Sequence, residues 1–141
     1  GTLGSAVNLN HDAKKHSWHT RVSTQESYSN AVVDFQSQVF LGDNTESAGR
    51  ITVATSGLYW VSFTANKAAA TSEYLDLSIR INTTVILGTR VYAPGGAPSF
   101  NGGSGSWAIP ITAGQIIDVF GYADLYDSMA YFSGTRIGAI S

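Results

Sequence analysis

The sequence predicts an all-β fold, a two-sheet β-sandwich or jelly roll, on three observations. The first is composition: Thr, Val, Ile, Tyr, Phe and Trp together make up 49 of the 141 residues, against 8 Leu. β-Branched and aromatic side chains fit a pleated surface and lose rotamer freedom on a helix. The second is punctuation. At least seven short strand-like runs are separated by turn residues, and 15 Gly supply turns that need positive φ. The third is the run Leu58–Ala65, bulky on both parities. In a sandwich one face of each strand meets the core and the other faces outward. An outward face carrying Leu58 and Trp60 needs a cover, and another subunit is the economical one.

The elements follow in chain order. Ala6–Leu9 reads as a short strand and His11–Thr24 as a polar loop carrying all three His. Gln25–Phe40 fits two periods: Tyr28, Val32, Phe35 and Val39 recur at helical spacing, while Val33, Phe35 and the Gln38–Leu41 run suit strands. Gly42–Gly49 is a polar turn region, and Arg50–Ala54 is a strand stopped by Thr55-Ser56-Gly57. In Leu58–Ala65, Leu58 and Trp60 share one face and Tyr59, Val61 and Phe63 the other, which assigns the latter three to the core. Tyr74–Asn82 alternates Leu75, Leu77, Ile79 and Ile81 against Tyr74, Asp76, Ser78 and Arg80, a half-buried strand with one wet face. Val85–Tyr92 follows a short Asn-Thr-Thr turn, and the Pro/Gly/Ser-rich residues 93–106 read as a loop. Trp107–Ile111, Gln115–Tyr122 and Ala130–Ile140 complete the set, and Pro110, which has no N–H to donate, suits a strand end or an edge.

Charge narrows the function. Charged residues are 13% of the chain, against ~25% in an ordinary soluble domain, and net charge is −2 with only 8 Lys+Arg. Nucleic-acid binding needs a basic stripe, so no nucleic-acid partner is expected. No apolar run approaches membrane-spanning length, so no membrane insertion is expected either. Without Cys, a disulfide scaffold and a Cys-based zinc site are both ruled out. Low charge also suits a module that hides surface against copies of itself. The sole Met, Met129, suggests a module cut from a longer protein.

Four segments then resemble, in order, the trimeric jelly-roll superfamily of the complement C1q globular head and the tumour necrosis factor ligands. Val33-Asp34-Phe35 resembles an early strand, and Thr55-Ser56-Gly57-Leu58-Tyr59-Trp60-Val61-Ser62-Phe63 the P-x-x-G-x-Y-x-F-x-F strand. Ile111-Thr112-Ala113-Gly114-Gln115-Ile116-Ile117-Asp118-Val119 resembles L-x-x-G-D-x-V-x-V, with Gln115 in place of Asp. Phe132-Ser133-Gly134-Thr135-Arg136-Ile137 resembles the closing F-S-G-F-L-L strand, interrupted by Thr135 and Arg136. The resemblance covers residues 31–141, expected as the jelly-roll head, with residues 1–30 leading into that one domain. It implies a jelly roll of about ten strands assembling as a homotrimer. It further implies that Leu58, Trp60, Phe132 and Arg136 face other subunits.

No residue pattern points to catalysis, a cofactor or a resident metal. His11, His16 and His19 match no standard ligand spacing, so a solvated segment is the simpler reading. The ten carboxylates are scattered, and Asp124 and Asp127 read as turn formers before they read as calcium ligands. There is no G-x-S-x-G around Gly102-Gly103-Ser104-Gly105-Ser106, and no Lys or helix follows to make it a phosphate loop. Trp18, Trp107, Tyr92 and Tyr126 have faces on which sugars stack, although core or interface packing is the commoner use of any one Trp. Tyr92, Asn101 and Tyr126, in or beside loops, are the candidate ligand contacts. Asn82-Thr83-Thr84 is a glycosylation sequon.

The expected function is a non-enzymatic trimeric head of a fibre or spike on a bacteriophage or other virion, binding a host-surface glycan or protein outside the cell. The alternatives are a structural trimer that registers or caps a filament, a secreted ligand of the tumour necrosis factor or C1q type, and a carbohydrate-active enzyme on a sandwich.

Overall fold

Eleven strands form among the residues described by a computed structural model, which are 15–24, 26–68, 73–93, 100–125 and 130–140. They are β1 (Trp18–Arg21), β2 (Glu26–Val32), β3 (Ser37–Phe40), β4 (Thr45–Ser47), β5 (Arg50–Thr52), β6 (Gly57–Ala68), β7 (Glu73–Ile81), β8 (Thr84–Ala93), β9 (Phe100–Ile111), β10 (Ile116–Leu125) and β11 (Tyr131–Gly138). One sheet has the order β3-β1-β11-β6-β9; the other has β4-β5-β10-β7-β8, with β2 also paired to β10. Each recorded pairing is antiparallel. The fold is the expected all-β, two-sheet jelly-roll sandwich.

The core lies between the sheets and follows strand parity. Tyr59, Val61, Phe63 and Ala65 of β6 point inward and are buried, as the alternation requires. Across the gap stand Leu77, Ile79 and Ile81 of β7 and Ile117 and Val119 of β10. Trp18 closes one side, its ring 5.7 Å from Tyr59 and 5.6 Å from Phe132. Trp18 pairs with Gly134 across β1 and β11. The indole lies where a Cβ of residue 134 would stand. That contact is why the closing strand carries a glycine there.

Several expectations are corrected. Phe132 is fully buried in the core of its own chain, 5.7 Å from Phe35, so it cannot face another subunit. Its partner across the ladder is Phe63, whereas Trp60 pairs with Thr135. The outward residues of β11 are therefore Tyr131, Ser133 and Thr135. Part of His11–Thr24 is strand β1, inserted between β3 and β11, so the sandwich already includes Trp18. The two-period segment resolves into β2 and β3, with Val33 and Phe35 between them buried in the core.

Residues 100–106 are strand as well. β9 runs beside β6 from Phe100, with Ala65 opposite Gly103 and Phe63 opposite Gly105. A Cβ on Gly105 would come within 2.9 Å of the Phe63 ring and 3.1 Å of Leu87. The Phe63 ring beside it and Leu87 across the core thus leave room only for glycine at position 105, and Ser104 and Ser106 take the outward parity. Pro110 sits on this edge strand opposite Leu58, where no inner ladder needs its missing N–H.

Candidate functional site

The outward face of the five-stranded sheet is the first candidate, because its chemistry is wrong for water. Trp60 is 48% exposed on β6, with Leu58 half-buried beside it, and Ile137 on β11 is 56% exposed. On the far side of β11, His19 lies 5.4 Å from the Tyr131 ring and 6.1 Å from Phe40, joining three strands in one aromatic cluster. Burial, and then the charge of Arg21, hold the His19 imidazole below its ordinary pKa, which favours the neutral ring. Between the cluster and Trp60, Ser62 and Ser133 hydrogen-bond across the ladder at 3.1 Å. No outward residue on these strands is an Asp or Glu.

The outward face of the six-stranded sheet contrasts with this. Asp118 is almost fully buried there and accepts a bidentate pair from Arg80, Nε to Oδ1 at 2.8 Å and Nη2 to Oδ2 at 2.9 Å. The Arg80 guanidinium lies 4.0 Å over the Phe120 ring, and Arg50 Nε approaches Asp118 at 3.7 Å. The pair itself is largely buried, and Val85 opposite Arg80, Tyr122 and Ile116 are exposed on the same face.

The remaining expected residues fall in different places. Arg136 is half-buried at the sheet end, where its Nε donates to the Ser56 carbonyl at 3.2 Å; a bulge after it turns Ile137 outward. Leu58 and Trp60 are together on the outward face. Tyr126 lies outside the described residues, and Tyr92 and Asn101 are placed by backbone alone, opposite Tyr74 and Lys67. The strand ends at 68, 73, 93, 100, 125 and 131 lie at one end of the sandwich, so Tyr92 and Asn101 border that end. Sequence reasoning missed Tyr131, His19 and Phe40. The available signal was Gly134, which marks the inward parity of β11 once Trp18 is placed against it.

The histidines do not converge. His11 lies outside the described residues, and His19 belongs to the aromatic cluster. His16 Nδ1 lies 2.8 Å from Asp43 Oδ2, which also accepts from Thr55 Oγ1 at 2.8 Å. Burial pushes the Asp43 carboxyl up, but the hydrogen bonds from Thr55 and His16 outweigh it and hold the group below the usual carboxylate range. The neighbouring Tyr59 hydroxyl donates to the Thr55 carbonyl at 2.6 Å. Burial, followed by the charge of Asp43, raises the Tyr59 pKa to about 12. Among the described residues, no group of three or more His, Cys, Asp or Glu is clustered for a metal. No described helix is long and apolar enough to cross a membrane.

No protein-family model and no curated protein sequence matches the chain. Solved structures do. The chain is similar to Eiger, a tumour necrosis factor of S. frugiperda, with TM-score 0.72 and 13% identity over 89% of this chain and 94% of that one. It is also similar to the globular domain of zebrafish complement 1qA protein, with TM-score 0.70 and 15% identity over 88% of this chain and 98% of that one. At such identities the likeness is one of fold.

Proposed function

We propose that the chain is a non-enzymatic recognition head that works as a homotrimer, displayed outside the cell at the end of a fibre or spike, as on a virion. The observation that carries this reading is the outward face of the five-stranded sheet. Trp60, Leu58 and Ile137, and beyond the Ser62–Ser133 pair the His19–Phe40–Tyr131 cluster, place apolar and aromatic groups on a face that the described residues leave uncovered. A second copy of the chain is a cover of matching chemistry. The likeness to tumour necrosis factor and C1q globular domains supports the same architecture. Trimerisation would multiply weak contacts by Tyr92, Asn101 and Tyr126 into useful avidity for a surface glycan or protein.

Labelled protein and a Trp60→Glu variant, applied to candidate host cells, test this. The variant is expected to be monomeric with its core intact. Its apparent affinity is expected to fall by a factor on the order of 10² to 10⁴, the range that avidity supplies. Cells labelled equally by both forms would remove the role of assembly. A trimer that labels no cell surface would instead favour the purely structural role of registering or capping a filament.

A further inference from the structure

A second feature lies apart from the outward sheet face. It is a groove of about 470 Å³ at the open edge of the sandwich, where β9 ends one sheet and β8 the other. That volume falls within the ~300–1,000 Å³ span of small-ligand clefts. Trp107 has the inward parity of β9, opposite Val61, but no strand among the described residues lies beyond it and the side chain is 54% exposed. Ile86 and Pro110 add apolar wall, and Asn82, Thr84 and Gln115 supply the polar atoms; none of the lining residues is charged.

The two amides are oriented by the backbone. Asn82 Oδ1 accepts from the Ile116 N–H at 2.9 Å, and Gln115 Oε1 accepts from the Thr112 N–H at 2.7 Å. With each oxygen held, each amide has its NH2 left to donate, and neither NH2 has a partner among the described residues. The groove therefore offers an aromatic face, two fixed donors and a hydroxyl, without charge.

We propose that this groove binds one neutral pyranose of a glycan. The polarised C–H bonds of the sugar ring pack on the Trp107 face, and ring hydroxyls accept from the Asn82 and Gln115 amides. The inference deepens the recognition reading above and rests on it for the class of ligand. A second copy of the chain is the competing occupant. An apolar cover would leave both NH2 donors buried and unpaired, whereas sugar hydroxyls satisfy them.

Two sources of the sugar are separable, because Asn82 also begins the sequon Asn82-Thr83-Thr84. Protein made in bacterial cells, without an N-glycan, is applied to an array of neutral glycans, and the best binder is titrated against tryptophan fluorescence. Protein secreted from eukaryotic cells is weighed before and after enzymatic deglycosylation, with fluorescence read on both forms. Saturable binding by the bacterial protein assigns an external glycan. Asn82 occupancy with a fluorescence change on deglycosylation assigns the chain's own. The absence of both results overturns the proposal.

For an external glycan, Trp107→Ala, Asn82→Asp and Gln115→Glu are each expected to weaken binding about tenfold or more. The last two substitutions keep the backbone-facing oxygen and replace the NH2 donor with a charged acceptor oxygen. Binding unchanged in all three variants contradicts the proposal, as does a Trp107→Ala variant that turns the oligomer into a monomer and so gives the groove to a second copy. A monomeric wild-type chain that still binds glycan through Trp107 would sink the trimer reading and leave this one standing.

Discussion

Single residues decide more of this structure than their frequency suggests. Gly134 is the clearest: Trp18 occupies the space that any side chain there would need. Gly134→Ala is expected to cost about 1–3 kcal/mol through overpacking, read as a lower urea midpoint with an unchanged slope. A variant as stable as the parent would mean that the indole is not seated on β11. Asp43 gives the pH dependence. Its folded pKa is depressed below an unfolded value of about 3.9, so its stabilising contribution is complete above that value and is lost as pH falls through the folded pKa. Unfolding free energy measured from pH 7 down to pH 3 should fall more steeply at the acid end for the parent than for Asp43→Asn. Parallel curves would separate Asp43 from the acid response. The core residues Tyr59, Val61 and Phe63 were legible from parity together with the family resemblance, but Phe132 was not. One misplaced register position on β11 exchanges its two faces, because strand side chains alternate with a period of two.

At the scale of elements, the legible strands were those with one wet face. β7 shows the expected alternation, with Leu77, Ile79 and Ile81 buried and Asp76, Ser78 and Arg80 partly exposed. The first half of β9 was hidden because its inward positions include Gly103 and Gly105, the latter kept small by Phe63 and Leu87, so that stretch reads as a Gly/Ser loop. β1 was hidden because it is short and carries His19 and Arg21 outward, leaving only Trp18 and Thr20 to mark the core. The β7–β8 hairpin turns through Asn82 and Thr83 at φ 47° and 70°. Two consecutive positive φ values make a type I′ turn, which favours Asn-Gly, and a β-branched residue is strained there. Such strain is worth about 1–3 kcal/mol, partly offset by the unfolded-state entropy of Gly. Thr83→Gly is therefore expected to raise stability by roughly 1 kcal/mol, read as a higher urea midpoint. A fall would show that Thr83 makes a contact that outweighs its backbone cost.

The whole molecule presents two unlike sheets to its surroundings. One carries the largely buried Arg80–Asp118 pair, with Arg50 nearby, beside exposed Val85, Tyr122 and Ile116. The other carries Trp60, Leu58, Ile137 and the His19 cluster and suits a partner. The sequence announced this asymmetry through one strand, since Leu58 and Trp60 share a face that a lone sandwich would keep polar. The rest of that face depends on which residues of β1, β3 and β11 become neighbours, and a linear pattern does not carry that pairing. The ligand was illegible for a related reason. The Trp107 groove is assembled from two turns and two edge strands, and only the three-dimensional fold brings Asn82 and Gln115 to the same cleft.

Self-association through the outward sheet is the central claim, and solution mass tests it most directly. Light scattering on a size-exclusion column should return about three times 14.9 kDa, unchanged on dilution. A mass near 14.9 kDa at every concentration would contradict the account and leave Trp60 as an exposed side chain on a lone sandwich.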